Sequence, residues 1–132
     1  MFRDHPCFTP GLYLLAGLFC FAALEAGSDS SPERLIFTKV FPGSSPEYLR
    51  VEVGRDGSAT YEGRPLAESM EPIHFLLSPA TTARLFALAA ELSYFRGLTL
   101  ESGLPVARMG EKTFVHEREG TRSEVRFNHT HN

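Results

Sequence analysis

Five histidines, two cysteines and a scatter of serines and carboxylates are the side chains of this 132-residue chain that could do chemistry. His129 and His131 form the one close histidine pair. Alternate positions on a strand would put both rings on one face, where a metal ion could bind. They stand at the end of the sequence, however, where backbone commonly frays, so two solvated histidines are expected there and no metal ligand is assigned. Asn128-His129-Thr130 also spells an N-glycosylation acceptor, which matters only in a eukaryotic secretory route. Hydrolysis would need a nucleophile, a base and an orienting group. Ser44 and Ser45 lie in a turn without a G-x-S-x-G elbow, and no base falls beside them. His74 and His116 occupy separate strand segments. His116 shares the face of Phe114, as expected of a hydrogen-bonded histidine at a core edge. Glu117, Glu119 and Glu124 surround a hairpin and read as a solvated rim. Tryptophan, the best stacking residue for sugars, is absent, although Tyr48, Tyr61 and Tyr94 remain. No catalytic residue and no cofactor is assigned.

Both cysteines, Cys7 and Cys20, fall within a leader-like segment. Gly11 to Leu24 is an apolar run of signal-peptide length, short of the roughly 20 residues that a spanning helix needs. Small residues follow at Ala22, Ala23 and Ala26, and cleavage after Ala26 is expected. Residues 1–26 then form a signal peptide, 27–33 a Gly/Ser linker, and 34–132 a single domain. The alternative is an uncleaved N-terminal membrane anchor. Cleavage removes one basic and two acidic residues (Arg3, Asp4, Glu25), so the formal charge of −3 becomes about −2. That balance excludes the clustered cationic footprint of a nucleic-acid-binding protein. A mature chain without cysteine excludes thiol catalysis, Cys-ligated zinc and iron–sulfur clusters.

Elements that would position these residues follow from hydrophobic period. Leu49, Val51 and Val53 alternate with Tyr48, Arg50 and Glu52, the pattern of a half-buried antiparallel strand. Arg55-Asp56-Gly57 returns the chain, pairing Val51 with Tyr61, Val53 with Ala59 and Arg50 with Glu62. Arg34 to Phe41 is apolar on both faces and reads as a central strand. Glu71 to Leu77 is a further strand candidate, with Ile73, Phe75 and Leu77 on one side. Ser78-Pro79 then caps a helix running to about Tyr94, with Leu85, Leu88, Ala89, Leu92 and Phe95 as its buried stripe and Gly97 as its stop. A last hairpin, Lys112–Glu117 with Arg122–Asn128, pairs Glu117 with Arg122, Phe114 with Val125 and Lys112 with Phe127. The expected fold is α+β: an antiparallel sheet of five or six strands with one helix packed on one face.

Gly43, Pro46, Tyr48, Asp56-Gly57, Tyr61 and Gly63 follow a recognisable order. Residues 35–63 resemble the opening of a family of uncharacterised, mostly exported bacterial domains, whose pattern runs strand, C-F-G-x-C-P-x-Y, strand, D-G turn, Y-x-G. Phe41 and Ser45 replace both of the family's cysteines, and Pro42 stands in place of its phenylalanine. The resemblance implies a small α+β domain of unknown function, here without a disulfide or redox role.

Composition and motifs together lead to an exported, periplasmic or secreted, non-enzymatic binding domain for a protein or small ligand, without membrane contact after leader cleavage. The alternative is a small hydrolase using His74 or His116 with a carboxylate. Arg96 to Glu111 lacks helical or strand period and is long for a connection, as functional loops often are. Leu98 and Leu100, directly after Phe95, are expected to cover the core. Leu104, Val106, Arg108 and Met109 are the expected partner-binding residues.

Overall fold

Alternating strands, joined by turns with glycine or proline at their corners, close into one antiparallel sheet of six strands beside a single α-helix. The structure is a computed structural model and describes residues 32–131. The signal peptide expected over 1–26 and the linker up to residue 31 lie outside the described residues. The strands are β1 (Arg34–Val40), β2 (Tyr48–Gly54), β3 (Ser58–Arg64), β4 (Ile73–Leu76), β5 (Glu111–Arg118) and β6 (Thr121–Phe127); the helix α1 is Pro79–Glu91. Their order across the sheet is β4-β3-β2-β1-β5-β6, so β1 is central, as its two-sided apolarity indicates.

Both hairpin registers agree with the sequence pattern. Val51 faces Tyr61, Val53 faces Ala59 and Arg50 faces Glu62. Phe114 faces Val125, Lys112 faces Phe127 and Glu117 faces Arg122. Gly57 supplies the positive φ of 89° that the Arg55-Asp56-Gly57 turn requires. Gly63 has a different reason to be glycine: a Cβ there would stand 2.5 Å from the Tyr61 hydroxyl oxygen.

Register divides the side chains between two faces. Leu35, Phe37, Val51, Val53, Phe114 and Val125 share one face, while Ile36, Glu52, Val115 and Glu124 lie in a row on the other. The apolar side gathers two buried clusters. One holds Val53, Ala59 and Phe86. The second holds Ala89, Phe95, Leu100, Val125 and Phe127.

Three expectations are corrected. Of the expected stripe, Ala89 and Phe95 are buried and Leu85 and Leu92 partly so, but Leu88 is 39% exposed, and the buried Thr82 and Phe86, the latter 1% exposed, lie outside it. Helix α1, capped as expected by the Ser78 side chain on Thr81 N, ends at Glu91 rather than Tyr94. Ser93, Tyr94 and Phe95 all take left-handed backbone, with φ of 54°, 50° and 66°. Such residues cost about 1–2 kcal/mol each, and burial of Phe95 offsets part of that cost. Finally, β4 is shorter than Glu71–Leu77, and all four of its residues are exposed, because it is an edge strand with a neighbour on one side only.

Candidate functional site

Arg96 to Gly110 forms a long segment without helix or regular strand. Its first part turns inward: Leu100 is buried, and Leu98 packs beside it against Ala89, Phe95 and Phe127. Beyond Ser102 the chain turns outward. Leu104 is 49% and Met109 51% exposed, Arg108 is exposed, and Val106 is half-buried.

Hydrogen bonds hold this outward part in place. The Glu101 carboxylate accepts the backbone N–H of Asn128 at 2.6 Å. Ser102 N donates to His129 O at 2.8 Å, and Met109 N donates to Asn128 Oδ1 at 2.7 Å. Lys112 Nζ donates to Asn128 O at 2.7 Å. The Asn128 N–H holds the Glu101 carboxyl below the ordinary carboxylate range. The loop is therefore fixed at both ends, and ordering it on binding costs less than ordering a free loop. Arg108 also lines a cleft of about 590 Å³ with Glu101, Glu111, Arg126 and Asn128.

The same bonds correct the expectation of a frayed terminus. His129 is half-buried, and its Nδ1 lies 3.0 Å from Ser102 Oγ, because the loop and Asn128 supply the partners that a free end lacks. His129 and His131 meet edge to face at 6.1 Å between ring centres. Among the described residues, no group of three or more His, Cys, Asp or Glu side chains is placed to hold a metal ion.

His74 and His116 do not come together. His74 lies on edge strand β4 opposite Thr60. His116 sits on β5 with its Nε2 3.0 Å from Glu33 Oε1, Tyr94 stacked on its ring at 4.3 Å, and Arg55 Nε 3.6 Å from the other Glu33 oxygen. This histidine has a carboxylate partner, yet it is only 3% exposed, so a substrate has no open route to its ring. Ser44 Oγ is shared between the carbonyl oxygens of Phe41 and Pro46, at 2.8 and 2.7 Å. It serves the turn, and no base contacts it among the described residues. Nothing in periodicity signalled the roles of Glu33 or Glu101, because each acts on a residue distant in sequence. Asn128 was legible only as a glycosylation acceptor.

Glu117 and Glu124, read as a solvated rim, belong to a chain of ion pairs. It runs Arg126–Glu124–Arg122–Glu117–Arg34–Glu52–Arg50 across β6, β5, β1 and β2, with nitrogen–oxygen distances of 2.5–2.9 Å at Arg122–Glu117, Arg34–Glu117, Arg34–Glu52, Arg50–Glu52 and Arg126–Glu124. Arg50 faces Glu62 in register, but its guanidinium turns to Glu52, and Glu62 pairs with Arg64 at 2.6 Å. Burial alone would push the Glu117 carboxyl up, but hydrogen bonds from Arg34 and Arg122 outweigh it and hold the group below its ordinary value.

The structure also has an apolar cleft of about 310 Å³ lined by Leu85, Leu88 and Leu92 of α1 and by Phe37, Val51 and Phe114 of the sheet. No helix among the described residues is long and apolar enough to cross a membrane. No protein-family model matches the chain, and no curated protein matches it either.

Proposed function

We propose that this chain is an exported, non-enzymatic binding domain whose partner meets the Leu104–Met109 loop. One observation carries the proposal: Leu104 and Met109 are half exposed on backbone that Glu101, Asn128 and Lys112 hold in place. Exposed apolar side chains on ordered backbone suit recognition, and Arg108 beside them offers a cation to an acidic group. Export is supported by the apolar run Gly11–Leu24 and by the resemblance of residues 35–63 to exported bacterial domains. In the same proposal, α1 lies over the apolar face of the sheet, supported by the burial of Phe86 with Val53 and Ala59.

The test is a Leu104→Ser/Met109→Ser double variant. Stability is expected within about 1 kcal/mol of wild type, as for exposed positions, with loss of the partner that wild type retains after crosslinking in the exported fraction. Unfolding of the variant, or undiminished retention of that partner, would remove the loop from the proposal.

The alternative, a small hydrolase, would rest on the His116–Glu33 contact and would need the buried ring to become accessible. His116→Gln separates the two. A hydrolase would show wild-type turnover of a simple ester that the folded variant loses, whereas a binding domain shows no difference between them.

A further inference from the structure

We propose that the cleft between α1 and the sheet binds a single-chain amphiphile with an anionic headgroup, such as a medium-chain fatty carboxylate. The site is separate from the Leu104–Met109 loop, so its failure would leave the loop's role untouched. Protein interiors have few voids larger than a water molecule. Here the two buried clusters are separate, and between them Leu35, Phe37, Val51 and Phe114, at the middle of the apolar face, are only half-buried. The cleft lies over these residues.

Size selects the occupant. At roughly 30 Å³ per heavy atom, a water's share of liquid volume, 310 Å³ holds about ten atoms of a hydrocarbon chain. An α-helix is about 10 Å across, so two turns of a protein helix would need roughly three times that space. Walls made of leucine, valine and phenylalanine give a polar ligand nothing to bond inside, but they suit an alkyl chain.

Charge selects the headgroup. One pleat beyond Phe37 and Phe114, on the same face, Lys39 and Lys112 stand directly opposite each other. Their Cα atoms are about 7 Å further along the strands, within reach of a lysine side chain. Lys112 already donates to the carbonyl oxygens of Asn128 and Met109. No hydrogen bond or ion pair engages the Lys39 side chain among the described residues. A carboxylate at the cleft mouth would meet that free ammonium group while its chain lay along Phe37 and Leu88.

Titration of the full chain with hexanoate, octanoate, decanoate and tetradecanoate tests both halves of the proposal. Affinity should rise by up to about fourfold per added methylene and level off near ten carbons, when the cleft is full. Methyl resonances of Leu35, Val51, Leu85 and Leu88 should shift on adding decanoate. Leu88→Trp, which fills the mouth, should weaken decanoate binding at least about tenfold. Lys39→Glu should weaken it about fivefold while leaving decanol binding nearly unchanged. Methyl shifts confined to other parts of the chain, or affinity that keeps rising to tetradecanoate, would overturn the proposal. Should Leu88→Trp fail to fold, the wild-type methyl shifts and chain-length series decide the matter without it.

Discussion

The two faces of the sheet bury their apolar residues in opposite ways. On the charged face, Ile36 and Val115 are paired across β1 and β5 and are 4% and 3% exposed. Arg34 and Glu117 flank them one pleat away, Glu52 and Glu124 lie in the same row, and all four belong to one chain of ion pairs. On the apolar face, Phe37, Val51 and Phe114 remain half-buried beside an open cleft. Ile36 and Val115, flanked by charged side chains, are thus less exposed than Phe37, Val51 and Phe114 at the middle of the apolar face. An arginine beside an apolar residue can cover it with its methylene stem while the guanidinium stays wet. Individually such ion pairs contribute little.

The comparison breaks first at Val53, which is buried among Ala59 and Phe86. Val53→Asp would bury a carboxylate without a partner and cost several kcal/mol, so circular dichroism should show an unfolded or barely folded chain. Next comes Ile36→Ala, whose cost of about 2–5 kcal/mol should exceed that of Val51→Ala in denaturant titration, even though Ile36 lies on the charged face. Equal or reversed costs would mean that the ion pairs do not shield Ile36.

Glu117→Gln is smaller, about 1 kcal/mol at neutral pH, but it carries a sign. The Glu117 carboxyl is held below its ordinary value when folded. Its stabilising effect is therefore present above the unfolded value, about 4.3, and is lost as pH falls through the folded one. Wild type should lose stability on acidification below about pH 4.3, and Glu117→Gln should flatten that loss. A parallel decline in both proteins would show that the Arg34–Glu117–Arg122 contacts contribute nothing. Smallest is Leu76→Ser: with 81% of Leu76 exposed on edge strand β4, stability should change by no more than about 0.5 kcal/mol. Self-association at high concentration should fall, because exposed apolar edge strands template pairing.

Sequence made the hairpins legible residue by residue, since a one-residue slip would move Val51 and Val53 to the charged face. It also marked Ser78 as a cap and Leu100 as core cover. Helix burial was legible at Ala89 and, past its end, at Phe95, but Leu88 is exposed, and Thr82 and Phe86 were missed because they fall outside the leucine stripe. The leucines line a cleft, while Phe86 is the residue that reaches the sheet cluster. The left-handed turn at Ser93–Phe95 leaves no periodic signal and carries no glycine until Gly97. Strand β4 was legible within Glu71–Leu77, but its full exposure was not, because alternation reports facing without reporting whether anything covers the face. Glu101 and Glu33 were invisible for a related reason: each is defined by a partner 27 or 83 residues away.

Solvent paramagnetic relaxation of the methyl groups, using a neutral water-soluble agent, tests the contrast between the faces most directly. Ile36 and Val115 methyls should be protected, Leu88 and Leu104 strongly relaxed, and Val51 intermediate. Relaxation of Ile36 and Val115 equal to that of Leu88 would contradict the sealed charged face, and full protection of Val51 and Leu88 would contradict the open apolar one.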